Sequence, residues 1–185
     1  MKNHSNDDKC KRDDFRSLFA AAASELQWLC YTLTGNEDLT SRVLDAALEQ
    51  SLKGADGVFR GWMLSWARRL TVKVCITLVR PDAGDAYQHP YVLQTTTGLV
   101  NSDQLNLALG QSSDVLQQKL LRLDTLSRFV FVLRAVEGYS RRDTALLLGL
   151  DDRTCELVYF CAVRTIRPNV YVMKPVGTAM ELVTA

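Results

Sequence analysis

Basic and aromatic side chains alternate in one stretch of this 185-residue chain, VFRGWMLSWARRLTVKVC. The basic residues are Arg60, Arg68, Arg69 and Lys73, and the tryptophans are Trp62 and Trp66. Cationic side chains hold phosphates and aromatic rings stack on unpaired bases, so the pattern indicates binding of single-stranded nucleic acid. A solvated basic face beside two core tryptophans accounts for the same spacing equally well. For Trp62 itself we expect a core position.

Residues that perform covalent or metal chemistry are few and unsuitably spaced. Neither His4 nor His89 has a cysteine or a helical carboxylate at ligand spacing. Cys155 and Cys161 are six residues apart, so on one helix they point in different directions. The sequence has no CxxC pair, phosphate-binding glycine loop or nucleophile elbow. We therefore expect a protein that is not an enzyme and that uses no metal and no cofactor.

Composition points to an ordinary globular chain, with 47% apolar and 23% charged residues. A net charge of +1 is low for a nucleic-acid binder, so a larger partner should supply most of the affinity. No apolar run is long enough to cross a bilayer and no signal segment opens the chain. Five scattered cysteines are typical of reduced core positions. These features predict a cytoplasmic protein without membrane contact.

Apolar periodicity in the first half predicts three helices, over 14–33, 36–52 and 58–79. Gly35 should end the first helix, since glycine adopts the left-handed conformation at low cost. Either Asn36 or Asp38 should cap the second helix, and Pro81 should end the third.

Composition changes after Pro81, where prolines, glycines and a threonine run indicate a linker. A short helix is expected inside it, over 103–109, and a longer one begins at Ser113. The segment after Pro168 is unusually apolar for a chain end, so we expect it to pack on a domain.

Three short helices are predicted between 125 and 167. The inward face of the first is Leu126, Phe129, Val130, Leu133 and Val136, followed by a stop at Gly138. Ser140, with Asp143 as a weak capping-box partner, should begin the second helix, which buries Ala145, Leu146 and Leu148 and stops at Gly149. Asp151 or Asp152 should cap the third, which ends at Pro168. This spacing fits a helix-turn-helix motif, and a plain helical hairpin fits it equally well.

Two segments resemble the extracytoplasmic-function sigma factors, in the order found in that family. The first contains LCYTLTGNED, which resembles the family's opening helix and turn. It also contains VFRGWMLSWARRLTVKVC, which is similar to the family's FRxWLxxIARN stretch at Phe59, Arg60, Trp62, Ala67 and Arg68. The second, over 120–150, matches at Leu123, Arg128, Val130, Phe131, Leu133, Arg134, Glu137, Gly138, Ser140, Ala145, Leu148, Gly149 and Leu150. The resemblance implies an all-α fold with two small helical domains, a region-two-like domain at 13–80 and a region-four-like helix-turn-helix at 113–168, with a linker at 81–112 and a tail at 169–185.

A sigma factor directs RNA polymerase to promoters, so the resemblance implies core polymerase and promoter DNA as partners, with an anti-sigma or other regulatory protein as a further one. DNA binding would fall to the basic residues above and to Arg141, Arg142, Arg153 and Thr154. Polymerase binding would fall to Asp45 and Glu49, which lie four apart on one helix face, although plain surface solvation explains that pair as well.

The third helix of the C-terminal unit departs from the family. Glu156, Val158, Phe160 and Cys161 stand where basic residues are common. We expect Leu157 and Phe160 to be exposed, which implies that the tail or a partner covers them. The competing hypothesis is therefore a degenerate sigma-like protein that binds another protein in place of DNA.

Overall fold

The computed structural model describes residues 12–54, 58–81 and 113–166. The expected linker helix at 103–109, the tail at 169–185, His4, His89 and Cys10 lie outside these residues. All regular elements within the described ranges are helices, which confirms the all-α fold class.

Eight α-helices make up the described chain. They are α1 Arg12–Ala21, α2 Ala23–Thr34, α3 Glu37–Gly54, α4 Met63–Val79, α5 Ser113–Leu121, α6 Thr125–Phe131, α7 Arg141–Leu148 and α8 Asp152–Ile166. A 3-10 turn, Arg60–Trp62, precedes α4, and a π-helical turn, Val132–Val136, extends α6.

The helix predicted over 14–33 is divided into α1 and α2 at Ala22. The backbone of Ala22 leaves the helical region, with φ −97° and ψ 14°, although the Ala22 N–H still donates to the Leu18 carbonyl at 2.8 Å. The Ala22 side chain is buried. Because the sequence has neither glycine nor proline here, the division was not predictable from local signals.

Two other predicted boundaries in this half are confirmed, the end of α2 and the cap of α3. Gly35 ends α2 in the left-handed conformation, with φ 66° and its N–H donating to the Tyr31 carbonyl. Asn36, rather than Asp38, caps α3, because its Oδ1 accepts from the Leu39 N–H at 3.0 Å. The third helix begins later than expected, since the chain enters α4 through the 3-10 turn.

Local capping also defines the C-terminal helices as predicted. The Ser140 hydroxyl accepts from the Asp143 N–H at 3.1 Å and donates to its carboxylate at 2.6 Å. Gly149 ends α7 with φ 67°, and Asp151 caps α8 by accepting from the Thr154 N–H at 2.9 Å. Helices α7 and α8 therefore flank a tight turn in helix-turn-helix order.

Contacts between the two halves of the chain were also not predicted from the sequence. Helix α2 packs on α6, and buried side chains of both halves belong to one hydrophobic core cluster. Gln117 on α5 reaches across to donate to the Thr32 hydroxyl at 2.9 Å and to the Trp28 carbonyl at 3.3 Å. The division into domains at 13–80 and 113–168 stays a prediction.

Candidate nucleic-acid interface

The start of α4 presents a pair of exposed aromatic rings. Trp62 is 68% exposed and Phe59 is 54% exposed, and their rings meet edge to face at 5.8 Å. The expectation that Trp62 lies in the core is therefore wrong. Its placement assumed α-helical periodicity from residue 58, whereas the 3-10 turn has three residues per turn and directs Trp62 to solvent.

Trp66 occupies an intermediate position, one turn further along α4. Its ring packs over Gly54 at the end of α3. A Cβ added to Gly54 would lie 3.5 Å from the Trp66 ring. Part of the ring remains open to solvent. The opposite face of α4 carries Met63, Ala67 and Val74 into the core, so the helix is anchored with its mixed basic and aromatic face outward.

The four basic residues expected in this interface are not equivalent. Arg60 is the first residue of the 3-10 turn. Arg69 and Lys73 are exposed. Arg68 is instead half-buried and paired, because its Nε and Nη2 donate to the Glu137 carboxylate at 3.1 Å and 2.5 Å.

The Arg68 pair joins the two halves of the chain. Glu137 lies after the π-helical turn, 69 residues away, and its side chain is only 5% exposed. A second carboxylate, that of Glu25 on α2, approaches Arg68 Nη1 at 3.3 Å. The hydrogen bonds with Glu137 raise the pKa of Arg68 above its usual value, although burial opposes that rise. Sequence spacing gave no signal for Glu25 or Glu137 in this role.

A cleft of about 930 Å³ lies beside this pair, between α4 and the segment that leads into α7. Its α4 wall carries Trp66, Arg69 and Lys73, and its other wall carries Tyr139 and Asp143. Burial raises the pKa of the Tyr139 phenol above its ordinary value. The cleft also includes Leu146 and Leu147 of α7, so apolar and charged groups face one another across it.

Exposed apolar surface occurs on α7 rather than on α8. Leu146 is 73% exposed, so its predicted inward position is wrong. Phe160, which was expected to be exposed on α8, is buried, and Leu157, for which the same was expected, is half-buried. Helix α8 packs against both α6 and α7, which encloses more of its circumference than a single inward stripe implies.

The basic residues expected to bind DNA through the helix-turn-helix are partly neutralised. Arg141 forms an ion pair with Asp152 at 3.1 Å, and both side chains are half exposed. The Thr154 hydroxyl donates to Asp151 at 2.6 Å, which lowers the pKa of that carboxyl. Arg142 and Arg153 are exposed. The N-terminal end of α8 thus carries two carboxylates, those of Asp151 and Asp152.

Glu156 on α8 is paired within the chain rather than directed at solvent alone. Its carboxylate accepts from Arg134 Nη1 at 2.7 Å. The Arg134 guanidinium also lies 4.0 Å above the centre of the Tyr159 ring. The repulsion that Glu156 would exert on a phosphate is therefore reduced, and Arg134 is engaged by these two contacts.

The acidic edge on α3 is exposed as expected. Asp45 and Glu49 are both open to solvent. Glu49 also accepts from Lys53 at 2.7 Å, and this hydrogen bond lowers its pKa. Asp45 thus offers the more available charge of the two.

Thiol groups in the described chain lie mostly inside the core. Cys30 and Cys75 are fully buried, and a hydrogen bond between them, together with burial, raises the pKa of Cys75. Burial raises the pKa of Cys155 to about 11. Among the described residues, no group of three or more histidines, cysteines or carboxylates is placed to hold a metal ion.

A scan against protein-family models gives no match, and a search of curated proteins gives no relative of significant similarity. The likeness to sigma factors therefore rests on the matching residues given above. None of the helices in the described ranges combines the length and the apolar composition required to cross a membrane.

Proposed function

We propose that this chain is a sigma-factor-like subunit that binds core RNA polymerase in the cytoplasm and helps it to engage promoter DNA. The observation that carries the proposal is the exposed pair of rings, Phe59 and Trp62, at the start of a helix with outward basic residues. Exposed aromatic rings beside cationic side chains favour unpaired bases over duplex DNA, since only unpaired bases can stack on them. Strand separation near the start of transcription supplies such bases.

The two halves contribute unequally in this proposal. Arg60, Arg69 and Lys73 of the first half hold the phosphates of the unpaired strand. The helix-turn-helix contributes less, because Arg141 is paired with Asp152 and α8 begins with carboxylates. Arg142, Arg153 and Thr154 remain the residues through which it would touch duplex DNA. Most of the affinity then comes from polymerase, in keeping with the low net charge.

Polymerase binding is assigned to the acidic edge formed by Asp45 and Glu49 on α3. The test is co-purification of tagged protein with core polymerase, followed by run-off transcription from genomic fragments. The informative variant is Asp45→Lys, and Gln50→Lys is its control, because Gln50 is exposed on a different face of the same helix. Loss of polymerase in the first variant alone supports the proposal. Absence of polymerase from the wild-type complex would contradict it.

A second candidate is a sigma-like protein that binds another protein in place of DNA. The ion pair of Arg141 with Asp152 and the exposed Leu146 and Leu147 on α7 favour it. In that case the protein would associate stably with a regulator of true sigma factors. Replacing Leu146 by Asp would then abolish that complex, whereas the same change would leave association with polymerase intact under the first proposal.

A further inference from the structure

One basic side chain of the proposed nucleic-acid interface, that of Arg68, already forms ion pairs with carboxylates of the same chain. Both ends of the Arg68 guanidinium face carboxylates, with Glu137 receiving two hydrogen bonds and Glu25 one. Three of the five N–H donors of this guanidinium point at carboxylates, so Arg68 is a poor ligand for a phosphate in this arrangement. The protein as described therefore has Arg68 in a blocked state.

The two carboxylates differ in their place in the fold. Glu25 belongs to α2, in the same half of the chain as Arg68, and its side chain is 63% exposed. Glu137 belongs to the other half, and it is almost fully buried. A buried carboxylate needs a compensating cation, whereas an exposed one is satisfied by water. Only the pair with Glu137 can therefore hold the two halves together at this point.

The same contact determines what the neighbouring cations face. Arg69 and Lys73 lie on the α4 wall of the cleft, and Asp143 and Glu137 lie on the opposite wall. The exposed carboxylate of Asp143 repels an incoming phosphate there, and Trp66 shares the cleft with Leu146 and Leu147 of α7. Separation of the walls would remove both obstacles at once.

We propose that Arg68 and Glu137 form a latch that keeps the cleft closed and the α4 interface partly blocked until a partner separates the walls. This inference rests on the proposed function, because it assigns a means of control to the nucleic-acid surface of α4. The latch leaves the exposed rings of Phe59 and Trp62 accessible, since these rings do not line the cleft. A first encounter with an unpaired strand can then take place before the latch opens.

The test uses the full chain with Glu137→Gln, which keeps the shape of the side chain and removes its charge. Hydrogen–deuterium exchange read by mass spectrometry should show faster exchange in the segments that line the cleft, over 65–73 and 136–147. The affinity for a fluorescent single-stranded oligothymidylate should rise by about fivefold or more. Glu25→Gln is the matched control, because it removes the other carboxylate bound to Arg68, and it should change neither measurement.

A reversed pair distinguishes the latch from general loosening of the fold. The variant Arg68→Glu, Glu137→Arg, made in the Glu25→Gln background so that Glu25 does not repel the new carboxylate, rebuilds the ion pair with opposite polarity. Exchange in the cleft segments should then return toward the wild-type rate. Its affinity for the oligonucleotide should stay low, because position 68 no longer carries a cation. Circular dichroism of each variant checks that the helical content is retained.

Failure of the latch and failure of the proposed function would give different results in these experiments. Unchanged exchange in Glu137→Gln, or no recovery of protection in the reversed pair, would overturn the latch and leave the proposed function untouched. Faster exchange without tighter oligonucleotide binding would overturn control of a nucleic-acid site and would also count against the proposed function.

Discussion

The guanidinium of Arg128, on α6, packs against the backbone of Gly35 at the turn between α2 and α3. A Cβ added to Gly35 would lie 3.3 Å from Arg128 Nη1 and 3.4 Å from Nη2. Arg128 is buried, its Nε has no hydrogen-bond partner among the described residues, and burial lowers its pKa. A charge is thus enclosed where the two halves of the chain meet, and the absence of a side chain at position 35 makes room for it.

Gly35→Ala should therefore destabilise the protein through two effects. The left-handed backbone, with φ 66°, costs about 1–2 kcal/mol for a residue with a Cβ. Crowding against the enclosed Arg128 should add about 1 kcal/mol. Urea denaturation of the wild type and the variant measures the sum.

Gly149→Ala is the matched control for that prediction. Gly149 has almost the same backbone conformation, with φ 67°, but an added Cβ meets no described atom within 4 Å. Only the conformational cost should appear there. Equal destabilisation by the two substitutions would show that Arg128 does not constrain position 35.

Arg134 should depend on the shape of its guanidinium as well as on its charge. Arg134→Lys keeps the charge near Glu156 but loses the flat contact over Tyr159, at 4.0 Å from the ring centre. We expect the free energy of unfolding to fall by about 1 kcal/mol. Arg16→Lys is the control, since Arg16 pairs with Asp13 at the surface, and it should be neutral. If Arg134→Lys leaves the free energy of unfolding unchanged, the contact of Arg134 with the Tyr159 ring does not contribute to stability.

The cap of α8 gives a prediction about pH. Hydrogen bonds from Thr154 lower the pKa of Asp151, so its charged form stabilises the folded state at neutral pH. That contribution is present above the ordinary pKa of an aspartate, near ~3.9, and is lost as the pH falls through the lower pKa of the folded state. The stability advantage of the wild type over Asp151→Asn should therefore shrink between neutral pH and about pH 3.

Asparagine is a suitable comparison there because its carbonyl oxygen can accept the same hydrogen bond without titrating. Chemical denaturation at several pH values gives the difference in free energy directly. A difference that stays constant over the whole range would mean that the charge of Asp151 does not contribute.

The sequence predicted local features of this fold well. Gly35, Ser140, Gly149 and Asp151 act at helix ends through groups no more than five residues away, so the residue type at one position determines the outcome. The direction in which a side chain faces was less predictable. Trp62 was misplaced because a 3-10 turn precedes α4, and such turns leave no mark in apolar periodicity.

In the candidate site, too, local features could be predicted from the sequence and contacts between distant residues could not. The exposed basic residues and the acidic edge on α3 could be predicted, because i and i+4 positions share a helix face. The pairing of Arg68 with Glu137 could not, since the two residues are 69 apart and each occurs in an ordinary local pattern. Leu146 and Phe160 exchanged their expected environments for a related reason: the packing of α7 and α8 on α6 decides which face is covered.

Binding of Trp62→Ala to a single-stranded oligonucleotide at low salt measures the contribution of base stacking to the proposed interface. Because stacking of a base on an aromatic ring contributes about 1–3 kcal/mol, the affinity should fall about tenfold, while duplex DNA should bind weakly to both proteins. Thermal stability should change little, since Trp62 is mostly exposed. Leu78→Ala, at an exposed apolar residue near the other end of α4, should bind as the wild type does. Equal affinity of the wild type and Trp62→Ala would show that the exposed rings of Phe59 and Trp62 do not bind unpaired bases.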